Sequence, residues 1–236
     1  MSYEFNKNLN KPEGNNSVGN GKKKILISYF SRTGYTETLA KSIGNELKSR
    51  ECSVVFDQIR PNVLYSWLRE ASRDFPKYPF FGLTLFIPPL RRLYLRHYHQ
   101  IEEDIQPMQY SNVGEFDRVC IGGPKWATMS YPVARYLQTV RGITGKKTGI
   151  FTTFGGPPLN VFEIEMLDYP MTRLIERIGA EVVARSFVSS GYHEPGLMPV
   201  FGVISRLRYF KPMEYFTLGS DYANDSIKNF CDDLLK

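Results

Sequence analysis

The chain has 236 residues, with 30 Lys+Arg against 24 Asp+Glu for a net charge of +6, and it is 42% hydrophobic and 23% charged. That balance excludes wholesale disorder, and the length suits one large domain with a substantial core. Its three cysteines (52, 120 and 231) form no CxxC pair, and its three histidines (97, 99 and 193) are scattered. A four-thiolate iron–sulfur cluster, a disulfide framework and a zinc site are therefore not expected, and the thiol usage reads as intracellular.

Residues 1–23 are rich in Asn, Lys and Gly with no apolar period, which predicts a flexible tail. No apolar stretch follows the basic start, so a secretory signal is not expected, the Asn15-Asn16-Ser17 sequon is idle and the expected location is cytoplasmic. A first strand is expected over 24–30, a short β-prone run suited to burial on both faces. After the turn at 31–36, Leu39, Ala40, Ile43 and Leu47 recur at helical spacing over 37–47, with Thr36 expected as N-cap. Further strands are expected at 53–59, 117–123, 148–154 and 181–188. Between them lie a loop to Pro132 with a helix over 133–140, and a Gly/Pro loop at 155–160 with a helix over 163–178. A closing amphipathic helix is expected over 223–235, with Ile227, Phe230, Cys231, Leu234 and Leu235 on one face. This alternation predicts an α/β doubly wound parallel sheet with helices on both faces. Residues 24–236 then form one domain, and two stretches too long for simple crossovers, 61–115 and 190–222, are read as insertions.

The turn Ser31-Arg32-Thr33-Gly34-Tyr35-Thr36 places three hydroxyl residues at a helix start, where N–H groups and the helix dipole favour an anion. Gly34 permits close backbone approach and positive φ. The plainer reading is that Ser31 and Thr36 only cap the helix. No GxxxxGK[ST] occurs, which disfavours nucleoside-triphosphate hydrolysis, and no Cys stands in the turn, which excludes a cysteine phosphatase.

The run from Ile25 through this turn to Ala40 resembles the first strand and phosphate loop of the flavodoxin family. The resemblance implies that Ser31, Arg32, Thr33, Gly34, Tyr35 and Thr36 hold the 5′-phosphate of FMN. The segment from Gly122 to Leu137 resembles the loop after the third strand of flavodoxin-like reductases, and implies that Pro124, Lys125, Trp126, Ala127 and Thr128 flank the isoalloxazine ring. An indole can stack on a flavin; the alternative for Trp126 is a core aromatic. Thr152 to Pro158 resembles the other flavin-flanking loop, implying that Thr153, Phe154, Gly155 and Gly156 approach the ring, with Phe154 over one face. Glycine-rich loops follow many parallel strands, so this third match is less specific. With the resemblance comes a five-stranded sheet of order 2-1-3-4-5 and FMN between the first and third strands.

The charge is uneven. Residues 60–100 hold seven basic residues against two acids, among nine aromatics, and Phe80–Leu90 leads into Arg91, Arg92 and Arg96. The insertions are read as packing together near the flavin as a lid or a homodimer contact, or as touching an anionic membrane, with nucleic acid disfavoured. The expected activity is FMN-dependent oxidoreduction, with NADH, NADPH or a redox partner protein as donor and a small acceptor such as a quinone. The alternative is an electron carrier without a substrate of its own.

Overall fold

A computed structural model describes residues 22–63, 87–97, 104–126, 128–191 and 198–236. The side chains of Trp126, His97 and Arg96, all of Ala127, His99 and His193, most of the expected tail and the aromatic stretch 64–86 lie outside the described residues.

Five parallel strands make the sheet. They are β1 (Lys24–Tyr29), β2 (Ser53–Gln58), β3 (Arg118–Trp126), β5 (Lys147–Phe154) and β6 (Glu181–Ser189), ordered β2-β1-β3-β5-β6. Counting parallel strands alone, that is the flavodoxin-like order 2-1-3-4-5. A two-residue strand, β4 (Thr128–Met129), folds back antiparallel on the end of β3. The loop expected after Gly123, up to Pro132, is thus a strand extension and a tight hairpin. Its cause is visible in the register: β1 accompanies β3 only to Gly122, while β5 pairs onward with Gly123 and Pro124.

Alternation along the strands divides two cores. Leu26, Val119, Ile121 and Ile150 face α3 (Tyr131–Thr139) and α4 (Glu165–Arg177). Ile25, Ile27, Cys120 and Phe151 face α1 (Tyr35–Ser49) and the closing helix α6 (Asp221–Leu235). Buried on both sides, these strands are apolar runs rather than alternating ones. The helix expected over 163–178 opens instead with a π-helical turn, Asn160–Ile164, before α4.

The remaining helices are α2 (Pro88–His97) and α5 (Met198–Tyr209), followed by a 3-10 turn at Met213–Phe216. Both insertions are pinned at their necks. Pro61 bridges Ile105, with the Asn62 N–H on Asp104 O (3.2 Å) and the Gln106 N–H on Arg60 O (2.7 Å). Ser189 bridges Thr217, with the Leu218 N–H on Ser189 O (3.1 Å). Residues between the first neck and β3 belong to the core: Val113 and Phe116 are buried. Arg91, expected among the basic residues that could meet an anionic membrane, is buried too, ion-paired with Glu165 of α4 at 2.6 Å; Arg92 is exposed. No helix among the described residues is long and apolar enough to cross a membrane.

Two glycines make the central strands fit. The ring of Phe151 occupies the space of a side chain at Gly122, and that of Phe230 from α6 the space at Gly149. Gly149→Ala is expected to destabilise by about 1–3 kcal/mol through overpacking. Combined with Phe230→Leu it should cost less than the two losses summed, as measured by urea unfolding. Burial also pushes the Cys231 thiol up from 9.0 to about 12, and raises Cys120 for the same reason. The folded state therefore keeps protons that the unfolded chain has lost, so stability should fall as pH rises from about 9 towards 12. Cys231→Ala should flatten that alkaline slope in denaturation midpoints measured across this range.

Candidate functional site

Parallel strands put their following turns on one edge of the sheet, so the segments after β1, β3 and β5 converge. Tyr29 at the end of β1 lies beside Gly122, and the Phe30 N–H donates to Gly122 O at 3.0 Å. From there the chain turns through Ser31–Gly34 into α1.

The turn departs from expectation in its cap. Gly34, not Thr36, holds the N-cap position of α1, with φ of 88°, and no side chain caps the helix. Ser31 Oγ instead accepts from the Gly34 N–H at 3.2 Å, and Gly34 O receives both the N–H and the hydroxyl of Thr38. A side chain at Gly34 would meet no atom within 4 Å. Ser31 is half-buried, Arg32 and Thr33 are exposed, and Tyr35 is half-buried. The donor set is uniform: two accessible hydroxyls, a guanidinium and an uncapped helix start, with no carboxylate among residues 31–36. Glu37, the nearest acid in the chain, pairs with Lys41 at 2.6 Å. An anion of phosphate size fits that chemistry.

Thr36 is buried inside the first turn of α1, and its Oγ1 lies 2.7 Å from that of Thr153 on β5. This contact ties the first turn to the third, across 117 residues of sequence. Both residues were expected on the cofactor, and the fold gives them to each other.

The second segment is more rigid than expected. Pro124 and Lys125 lie in β3, with Pro124 in register with Thr153, and Trp126 lies at its end opposite Thr128. Lys125 Nζ is 2.7 Å from Glu163 Oε2 of the π-helical turn, both side chains largely buried. Thr128 is buried. At the start of α3 the Ser130 hydroxyl is buried and has no hydrogen-bond partner among the described residues, and the same holds for that of Thr152 on β5.

In the third segment Phe154 is a correction. It is the last residue of β5 and buried in the core with Ile150, so its ring offers no face to a ligand. Period-two alternation, which places Ile150, Thr152 and Phe154 on one side, already forbids the expected role. Gly155 is half-buried, but Gly156, Pro157 and Pro158 are buried. Phe201 of α5 and Glu163 stand 3.0 and 3.1 Å from where a Gly156 side chain would begin, and Tyr209 Oη donates to Pro158 O at 2.8 Å. The second insertion thus covers this segment. A groove of about 850 Å³ runs along α4 between Arg92 and Glu176 and includes none of the three turns.

Sequence reasoning missed Glu163 and Ser130, whereas Phe201 and Tyr209 belong to the aromatic set of the second insertion, which was expected to pack near this edge. Only a faint signal existed for Glu163, an acid in the first turn of a helix. Replacing Thr36 by Val should leave the Thr153 hydroxyl buried and unpaired, costing about 1–3 kcal/mol. The double variant Thr36→Val/Thr153→Val should recover most of that loss in denaturant unfolding.

No family model and no curated protein matches the chain. Similar solved structures include a flavoprotein in complex with FMN from Lactobacillus acidophilus, 17% identical over 70% of this chain and 93% of its own, with a TM-score of 0.48. Oxidised flavodoxin 2 from Bacillus cereus is 14% identical over 90% of this chain and 97% of its own, with a TM-score of 0.48. A flavodoxin from the domain Archaea is 13% identical over 89% and 95%, with a TM-score of 0.46. Strand order, parallel register and the placement of helices on both faces establish the fold by themselves: this chain has the flavodoxin-like fold.

Proposed function

We propose that this chain binds FMN noncovalently at the converging ends of β1, β3 and β5, and serves as an oxidoreductase. Electrons would pass from a reduced nicotinamide or a protein donor to a small acceptor such as a quinone. The observation that carries the reading is the β1–α1 turn. There, Gly34 in left-handed conformation opens space beside two accessible hydroxyls and an uncapped helix start, with no carboxylate within the turn.

Ser31, Thr33 and the first-turn amides of α1 would hold the phosphate, and Arg32 adds positive charge. Thr36 and Thr153 hold the first turn against the third, fixing the distance between the phosphate end and the strand that would flank the ring. Lys125 and Glu163 neutralise each other where β3 overshoots β1, so this segment is braced without leaving a net charge. Bound FMN supplies one- or two-electron transfer through its ring system. An electron carrier without its own substrate is the second reading. The observation favouring it is the seat of α5 on Gly156–Pro158, which narrows the approach for a substrate beside the third segment.

Titrating the purified chain with FMN, and separately with riboflavin, while following flavin fluorescence tests the cofactor. FMN should bind at least about tenfold more tightly than riboflavin, reflecting charge-assisted hydrogen bonds to the phosphate. Ser31→Ala/Thr33→Val should remove most of that preference and leave riboflavin binding unchanged. A chain that takes up no FMN, or that binds both flavins alike, overturns the assignment. Anaerobic mixing of the FMN-loaded protein with NADH or NADPH then separates the readings: rapid flavin bleaching supports the reductase, and no reaction supports the carrier.

A further inference from the structure

Among the described residues, helix α5 is held by one face only. Its inner side carries Ser205, buried with its hydroxyl on Lys211 O at 2.8 Å, together with Phe201 against Gly156 and Tyr209 bonded to Pro158. On the outer side Val200, Val203 and Leu207 fall at i, i+3 and i+7, within an arc of about 60°. They are 51%, 57% and 74% exposed, and Phe210 just beyond the helix is 88% exposed. Phe210 adopts φ of 54°, a left-handed conformation that a residue with a Cβ rarely takes, and it presents its ring to solvent there. Core packing explains none of these four side chains.

Their flanks are basic. Arg206 and Arg208 are exposed on either side of the apolar stripe, Lys211 follows, and no acid occurs between Met198 and Lys211. A convex helix with a narrow apolar stripe, bordered by long cationic side chains, is built to lie in a membrane interface: aliphatic groups enter the acyl boundary while guanidinium groups reach up to phosphates. At 12 residues it is too short to span a bilayer. A second copy of this chain on the same face would oppose Arg206 and Arg208 with their equivalents. An acidic protein would satisfy the charges but leave the aliphatic stripe on a convex surface without a groove. We propose that α5 and Phe210 dock this chain onto an anionic lipid surface. The proposal does not depend on FMN.

Cosedimentation of the full chain with vesicles tests it, using phosphatidylcholine alone and phosphatidylcholine mixed with phosphatidylserine. Binding should require phosphatidylserine and weaken at high salt. Leu207→Ser/Phe210→Ser and Arg206→Gln/Arg208→Gln should each lower partitioning about tenfold or more. Lys48→Gln/Lys228→Gln, which removes the same charge from exposed positions on α1 and α6, should change it less than twofold. Thermal unfolding of every variant should match the parent, since the altered side chains are exposed. The proposal is overturned if the parent ignores phosphatidylserine, or if the α5 variants bind like the parent, which would place any membrane contact elsewhere in the chain. It is equally overturned if poly-glutamate is retained through Arg206 and Arg208 while vesicles are not, which would mark an acidic protein partner.

Discussion

Everything in this structure depends on three adjacent parallel strands being covered on both faces at once. The middles of β1, β3 and β5 have no solvent side, so each residue there must match a helix above or below. Aromatic rings fill much of that space, and Gly122 and Gly149 exist to admit them: one receives the ring of Phe151 from the neighbouring strand, the other the ring of Phe230 from the closing helix. A sheet packed to this density resists small adjustments. Its edge is consequently a fixed platform, and the three turns on it take their spacing from the strand register, with the Thr36–Thr153 contact holding the first turn against the third.

Polar chemistry at that edge is divided between what reaches solvent and what is buried. Ser31, Arg32 and Thr33 reach solvent, whereas the hydroxyls of Thr36 and Thr153 are spent on each other and the charges of Lys125 and Glu163 on each other. A buried ion pair adds little to stability, because desolvation offsets the attraction, yet it punishes any arrangement that separates the partners. Such a pair between a strand end and a π-helical turn specifies where the two meet.

Much of the architecture was legible: β1 and β5, buried on both faces, lack a polar alternation, and the edge strands β2 and β6 carry short β-branched and aromatic runs, which locates all four to within about two residues. The phosphate-loop pattern was legible for a different reason: small, hydroxyl and glycine residues crowd one turn. The overshoot of β3 beyond Gly123 was hidden, since two glycines followed by Pro124 read as the end of a strand. Pro124 is tolerated in a strand because β1 has already ended at Gly122, so that on one side of β3 there is no ladder for it to interrupt. Lys125 and Glu163 stand 38 residues apart, and no local pattern joins them. Phe154 was misread for want of applying strand alternation to the last residue of β5, where the glycines that follow suggested that the loop had begun.

Each insertion leaves and re-enters the body of the protein at a single point. At one neck Arg60 and Asn62 are bonded to Gln106 and Asp104, at the other Ser189 to Leu218, so the ends of each excursion are already within hydrogen-bond distance. The closure entropy of such a loop grows only with the logarithm of its length. The cost of closing either loop is therefore nearly indifferent to its length. These positions are grafting points: a segment between them can be lengthened, shortened or exchanged during evolution or design while the strand register survives, and new surface chemistry can be added to the platform without rebuilding it.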